Sequence, residues 1–280
     1  MASGGKAHFR ILEDIARDLS GDVNFPTCLD AAILVRNTLK NPFANLQQVV
    51  LAIGVEPLIS SKLLRLANSV AINPSGERIS DLSTAIGRLG FEIVRTTSLA
   101  VAMDQMMKSR HLAGYDSISR QTWDYSVQVA AIARVLARHL GRVNPDEAML
   151  TGLVHNIGVF YLMYRAAEYP EYRNNQVAMI ELLTGWQEGI GESLLHILGV
   201  PPQITDAVRD QSHGRDMETP CTLGDILYFA KQLADAKPDW QKAGALVEDS
   251  TPSEENRLRY ADLLHEAEED ILDLRAALLA

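Results

Sequence analysis

The sequence predicts an all-α, multi-helical fold, on three observations. Apolar residues recur at i, i+3, i+4 and i+7 in almost every patterned segment. No stretch alternates apolar and polar residues as a half-buried strand must. The breaks between segments, "NPF", "INPSGER", "HLAGYDS", "GRVNP" and "GVPPQ", all carry turn chemistry.

Taken in order, the periodicity places helices at residues 8–19, 29–40, 45–54 and 56–71. "DLSTAIGRLG" then sets Leu82, Ala85, Ile86 and Leu89 on one face. Ser80 stands where an N-cap belongs and Gly90 where a C′ glycine ends a helix, which gives helices at 81–89 and 91–112. A helix at 119–140 carries Tyr125, Val129, Ile132, Ala133 and Leu136 as one stripe and closes at Gly141. Asn144 as cap, Pro145 at N1, and Asp146 with Glu147 near the positive helix end open a helix at 145–167. Shorter helices follow at 175–186, 190–198, 203–211 and 222–236. "DAKPDWQKAGALVEDSTPSEE" is mixed and polar and reads as a loop before a last helix at 253–279. Along that helix Tyr260, Leu264, Ala267, Ile271, Leu274 and Leu278 alternate by fours and threes. Docking of this stripe on the chain's own core is favoured, because fewer than four heptads is short for a coiled coil; a homodimer or partner surface is the alternative.

At 280 residues, 47% hydrophobic and 22% charged, the chain can bury a core without disulfides or a structural metal. Its two cysteines, Cys28 and Cys221, lie far apart and suggest a reduced, cytoplasmic protein. "MASGGKAHFR" has no apolar h-region, and no run approaches the roughly 18 apolar residues of a membrane span. A net charge of −10 argues against broad nucleic-acid binding. A Gly-rich phosphate loop, a nucleophile elbow and a HExxH zinc helix are all absent from the sequence.

Four local patterns remain: "KLLRLANSVAI" (62–72), "ISDLSTAIGRLG" (79–90), "LTGLVHNIG" (150–158) and "GESLLHILGVP" (191–201). In this order and spacing the chain resembles the HDOD domain, a regulatory relative of the HD-type metal-dependent phosphohydrolases. The resemblance implies an N-terminal helical subdomain packed on an HD-like helical bundle, spanning 18–236. Residues 1–17 then form an N-terminal segment, and 237–280 a loop and C-terminal amphipathic helix. It also implies a role in bacterial signal transduction, here with no sensor module expected to be attached.

HD-type hydrolases hold metal with a first His, a His-Asp pair and a later Asp. The matching positions here are Tyr125, His155 with Asn156, and Lys231, so only His155 is retained. Asn156 lacks the charge of Asp, the Tyr125 phenol has an ordinary pKa of about 10, and Lys231 would place an ammonium beside the cation. No metal or other cofactor is therefore expected. A divalent metal enters only under the alternative reading, a phosphohydrolase in which metal-activated water attacks a nucleotide or other phosphate ester. Asp124 and Asp225 or Asp235 would then be the nearest carboxylates.

Without metal, His155 reads as a packed imidazole bonded to Asn156 or a backbone carbonyl. The slender face of Gly152, His155, Asn156 and Val159 suits close approach by another helix. The second reading is a ligand pocket of Tyr125, His155, Asn156 and Lys231, whose cation suits a small anionic signal. Asn68, on the apolar face of Leu64, Ala67 and Ala71, is expected to tie down a loop or helix end. Gly90 and Gly158 are structural motif positions. His196 and His213 read as exposed or loop-fixing, His8, His111, His139 and His265 as scattered, and Glu269 with Asp270 as a solvated face. The functional expectation is a non-catalytic regulatory domain that binds a signalling protein or a small anionic ligand.

Overall fold

The computed structural model describes residues 2–20, 30–41, 43–69, 72–73, 76–108, 112, 114–173, 175–214, 219–235, 237–244 and 254–279. Among these the regular structure is helical throughout, with no strand. Readings that fell on Cys28, Ala71 and His111, and on the side chains of His8 and Leu278, lie outside them.

In chain order the helices are α1 (Ala2–Ser20), α2 (Asp30–Leu39), α3 (Leu46–Gly54), α4 (Pro57–Ala67), α5 (Leu82–Met107), α6 (Asp116–Leu140), α7 (Pro145–Val154) and α8 (Ile157–Ala166). After a 3-10 turn at Pro170–Tyr172 come α9 (Gln176–Ile197), α10 (Pro202–Arg209), α11 (Leu223–Leu233), α12 (Asp239–Gly244), α13 (Glu254–Arg259) and α14 (Ala261–Leu279). Local chemistry sets most boundaries. Gly90 adopts φ 78° and breaks the backbone within α5, as its place after the Leu82–Leu89 stripe predicts. Gly141 closes α6 in the left-handed conformation, and Asn144 caps α7 ahead of Pro145.

Several boundaries differ from expectation. Asp81, not Ser80, caps α5: its carboxylate accepts from the Thr84 N–H, which holds the Asp81 pKa below the usual carboxylate value. The helix expected at 56–71 ends at Ala67, because the Asn68 side chain turns the chain there. The Asn68 amide donates to the carbonyls of Leu64 (2.7 Å) and Ile79 (2.8 Å) and accepts from the Ile79 N–H (2.8 Å). The expected helices at 175–186 and 190–198 form the single α9, and the polar stretch after α11 holds the short α12. Trp240 of α12 is buried, its indole donating to Thr122.

Helices α2, α3 and α4 pack on α5, while α6 lies at the middle of the bundle against α7, α11 and α14. The N-terminal α1 joins the bundle instead, packing on α8 and α9 with Ile11 and Ile15 buried and Asp18 paired to Arg165 at 2.9 Å. The stripe of the last helix is docked inward: Tyr260, Ala267 and Leu274 are buried, and α14 packs on α6, α4 and α5. Asp270 is not solvated as expected. It is 7% exposed and faces Arg134 at 3.5 Å and Arg138 at 3.3 Å across the α14–α6 contact. Burial raises its pKa, and the two guanidinium groups pull the other way.

Candidate functional site

The expected helix at 145–167 is broken at the His155–Asn156 pair, where α7 ends and α8 begins. A side chain from elsewhere inserts into the helix ladder there. Gln211, just after α10, donates its amide N–H to the His155 carbonyl at 3.0 Å, while the Val159 N–H turns to the Asn156 carbonyl at 3.0 Å. His155 Nδ1 lies 2.6 Å from the Gly152 carbonyl and donates to it. Two close contacts hold the segment. A Cβ at Gly152 would stand 2.6 Å from Ala130 Cα on α6, and one at Gly158 would stand 2.0 Å from the Gln187 carbonyl oxygen on α9. Both glycines therefore serve close helix approach, which the slender face around His155 suggested for Gly152 alone.

The four residues singled out by the resemblance meet at this junction. The Tyr125 and His155 rings pack edge-to-face at 5.7 Å, and the Tyr125 hydroxyl donates to the Lys231 carbonyl at 2.9 Å. Lys231 reaches from the last turn of α11 and donates to Gln211, to the side-chain oxygen at 3.0 Å and the backbone oxygen at 3.2 Å. Asn156 donates to Ser126 Oγ on α6 at 3.1 Å. His155 and Asn156 are both 0% exposed and Tyr125 is 1% exposed, so these side chains pack among one another and do not line an open pocket. Burial, and secondarily the Lys231 charge, push His155 down to about 3. It is a neutral imidazole.

Two buried acceptors, His155 Nε2 and Asn156 Oδ1, have no partner among the described residues. An HD-type metal would have to be held by these two neutral atoms beside an ammonium, with no carboxylate, and that set does not fit a divalent cation. The fallback carboxylates are engaged elsewhere. Asp225 accepts from the N–H groups of Cys221 and Thr222 in the cap of α11, Asp124 faces Arg275 at 3.8 Å, and Asp235 faces Arg257 at 3.0 Å. Among the described residues no three His, Cys, Asp or Glu side chains converge as a metal site.

Other histidines are peripheral. His196 and His213 are exposed, and His139 lies 2.6 Å from Glu266. Sequence reasoning missed Gln211 and Ser126, the two side chains that organise the junction. Gln211 sits two residues before His213 in a segment already noticed, but nothing local marks its amide as buried.

Comparison with known proteins bears on the family and the fold. The family model of the HDOD domain matches residues 25–213. No curated protein sequence matches the chain. Among solved structures, a Shewanella amazonensis protein named as a candidate metal-dependent phosphohydrolase superposes with a TM-score of 0.73 at 19% identity, covering 99% of this chain and 100% of that one. An HDOD domain protein of unknown function from Geobacter sulfurreducens gives 0.55 at 19% identity, covering 95% and 96%. A candidate signal transduction protein from Marinobacter aquaeolei gives 0.57 at 18% identity, covering 98% of this chain and 66% of that one. At these identities the likeness is one of fold. Among the described residues, no helix is long and apolar enough to cross a membrane.

Proposed function

The chain belongs to the HDOD domain family, and on that footing we propose that it is a non-catalytic regulatory domain of bacterial signal transduction that binds a protein partner in the cytoplasm. One observation carries this reading: the position of the metal pair of the HD-type hydrolases holds a neutral His155 and an uncharged Asn156, fully buried beside Lys231. Hydrolysis of a phosphate ester needs an activated water and a cation to hold it. Among the described residues this junction supplies no carboxylate ligand, and its imidazole is fully buried.

The same chemistry favours a protein partner over a small anionic signal. An anion needs donors, yet the two unpartnered atoms at the junction accept, and Lys231 already directs protons at Gln211. Recognition is then left to the outer faces of the helices. The resemblance in fold to a protein described as a candidate signal transduction protein supports the signalling part of this reading.

Metal content by mass spectrometry, on protein purified without chelator or histidine tag, tests it, followed by assays on a phosphoester panel with manganese, magnesium or nickel. Substoichiometric metal and no turnover are expected. Near-stoichiometric metal, with turnover abolished by His155→Ala, would overturn the proposal in favour of a metal-dependent phosphohydrolase.

A further inference from the structure

A groove of about 1000 Å³ runs between α1 and α9. Its apolar floor is formed by Leu12 and Leu19 from α1 and by Ile190 from α9. Two aromatic rings stand at its rim, Phe9 at 66% and Trp186 at 47% exposure. Single exposed apolar residues are ordinary, but two aromatic rings over one continuous apolar channel mark a binding surface. The wall on α9 lies within the residues matched by the HDOD model, whereas α1 precedes them, so the groove is not built by the family domain alone.

Length and charge say what fits. The lining runs from Phe9 to Ser20 on one wall and from Trp186 to Ile197 on the other, eleven helical steps each. At about 1.5 Å per residue each wall is about 16 Å long, or about three turns of a partner helix. Among the described residues, the carboxylates in the lining are Glu13 and Glu192, with no lysine or arginine. Glu13 is exposed and in no ion pair among the described residues. Glu192 faces Arg209 at 3.7 Å, but Arg209 is also held by Asp206 and Asp210 at 2.8 Å each, so the rim stays acidic. A second copy docking through the same face would set these carboxylates against their own duplicates in a chain of net charge −10, which is unfavourable.

We propose that the α1–α9 groove docks an amphipathic helix of a partner protein, about three turns long, with apolar side chains at i, i+3 or i+4, and i+7 and with Lys or Arg along its flanks. This rests on the reading of the chain as a partner-binding regulatory domain and names the partner's chemistry. The apolar stripe fills the channel over Leu12, Leu19 and Ile190, between the rings of Phe9 and Trp186. The flanking cations meet Glu13 and Glu192.

The full chain, labelled with nitrogen-15, is titrated with a helix-favouring synthetic peptide of about 12 residues, leucines on the stripe and lysines on the flanks, and with the same peptide carrying glutamates for the lysines. The probe is the Trp186 indole signal, identified by its loss in Trp186→Phe. Trp123 and Trp240 are buried and report the intact fold. A saturable shift of the Trp186 signal is expected with the lysine peptide and roughly ten-fold weaker binding with the glutamate peptide, a preference that Glu13→Lys narrows or inverts. No saturable shift, or equal binding of both peptides, overturns the proposal. A Trp186 shift that follows protein concentration alone would assign the face to a second copy and overturn it too. Silent titrations without bound metal or turnover refute the groove alone, whereas metal with turnover refutes the regulatory reading.

Discussion

Replacing His155 with phenylalanine should remove much of the chain's sensitivity to mild acid. The folded protein holds His155 near 3 instead of 6.5, by burial first and by Lys231 second. The unfolded chain therefore takes up a proton between those values that the folded chain refuses. Stability from this site is complete above pH 6.5 and falls as pH drops toward 3, by up to about 1.4 kcal/mol per unit. At pH 5 the loss is about 2 kcal/mol. Urea unfolding of wild type and His155→Phe at pH 8 and pH 5 isolates the effect, since the other titrating groups are common to both. The variant lacks the Nδ1–H that meets the Gly152 carbonyl, so it is less stable at pH 8. Between the two pH values, however, wild type should lose about 2 kcal/mol more than the variant. An equal loss in both would mean that His155 is not held neutral, and the account of the junction would fail.

Two further substitutions probe the packing that builds the site. In Gly158→Ala the new Cβ would stand 2.0 Å from the Gln187 carbonyl oxygen and 2.8 Å from the Gly191 nitrogen, backbone atoms that cannot step aside alone. A loss of about 3 kcal/mol in urea unfolding is expected, and an unchanged midpoint would show that α8 and α9 are not so close. Asn68→Ala removes three hydrogen bonds to the backbone of Leu64 and Ile79. A loss of about 2 kcal/mol should come with faster hydrogen exchange at the Ile79 amide, and unaltered protection there would count against the tether.

What the sequence made legible was local. The Leu82–Leu89 stripe ending at Gly90, the Gly141 stop and the Asn144–Pro145 start each follow from the backbone demands of a few adjacent residues. The features it hid are tertiary. The break at His155 depends on Gln211, which arrives 56 positions later in the chain. A gap was expected between helices ending at 186 and starting at 190, yet α9 runs through it, and Gly191 serves the close contact with Gly158. Asp270 read as solvated because its partners, Arg134 and Arg138, lie on another helix. The candidate site was found only through the family resemblance, since no spacing rule links Tyr125, His155 and Lys231. Asn156 was placed there too, but its partner Ser126 was not foreseen.

The junction also bears on how the fold is held. Tyr125, Lys231, Gln211 and His155 form one continuous relay that ties α6, α11, the segment after α10 and the end of α7. A coordinated ion can make such a cross-link, but then the strength of the tie rises and falls with free ion concentration, by RT ln(1 + [L]/Kd). A tie made of covalently attached side chains has no such dependence. It holds equally at low and high free ion concentration, so the stability of this junction is insulated from fluctuations in trace-element supply.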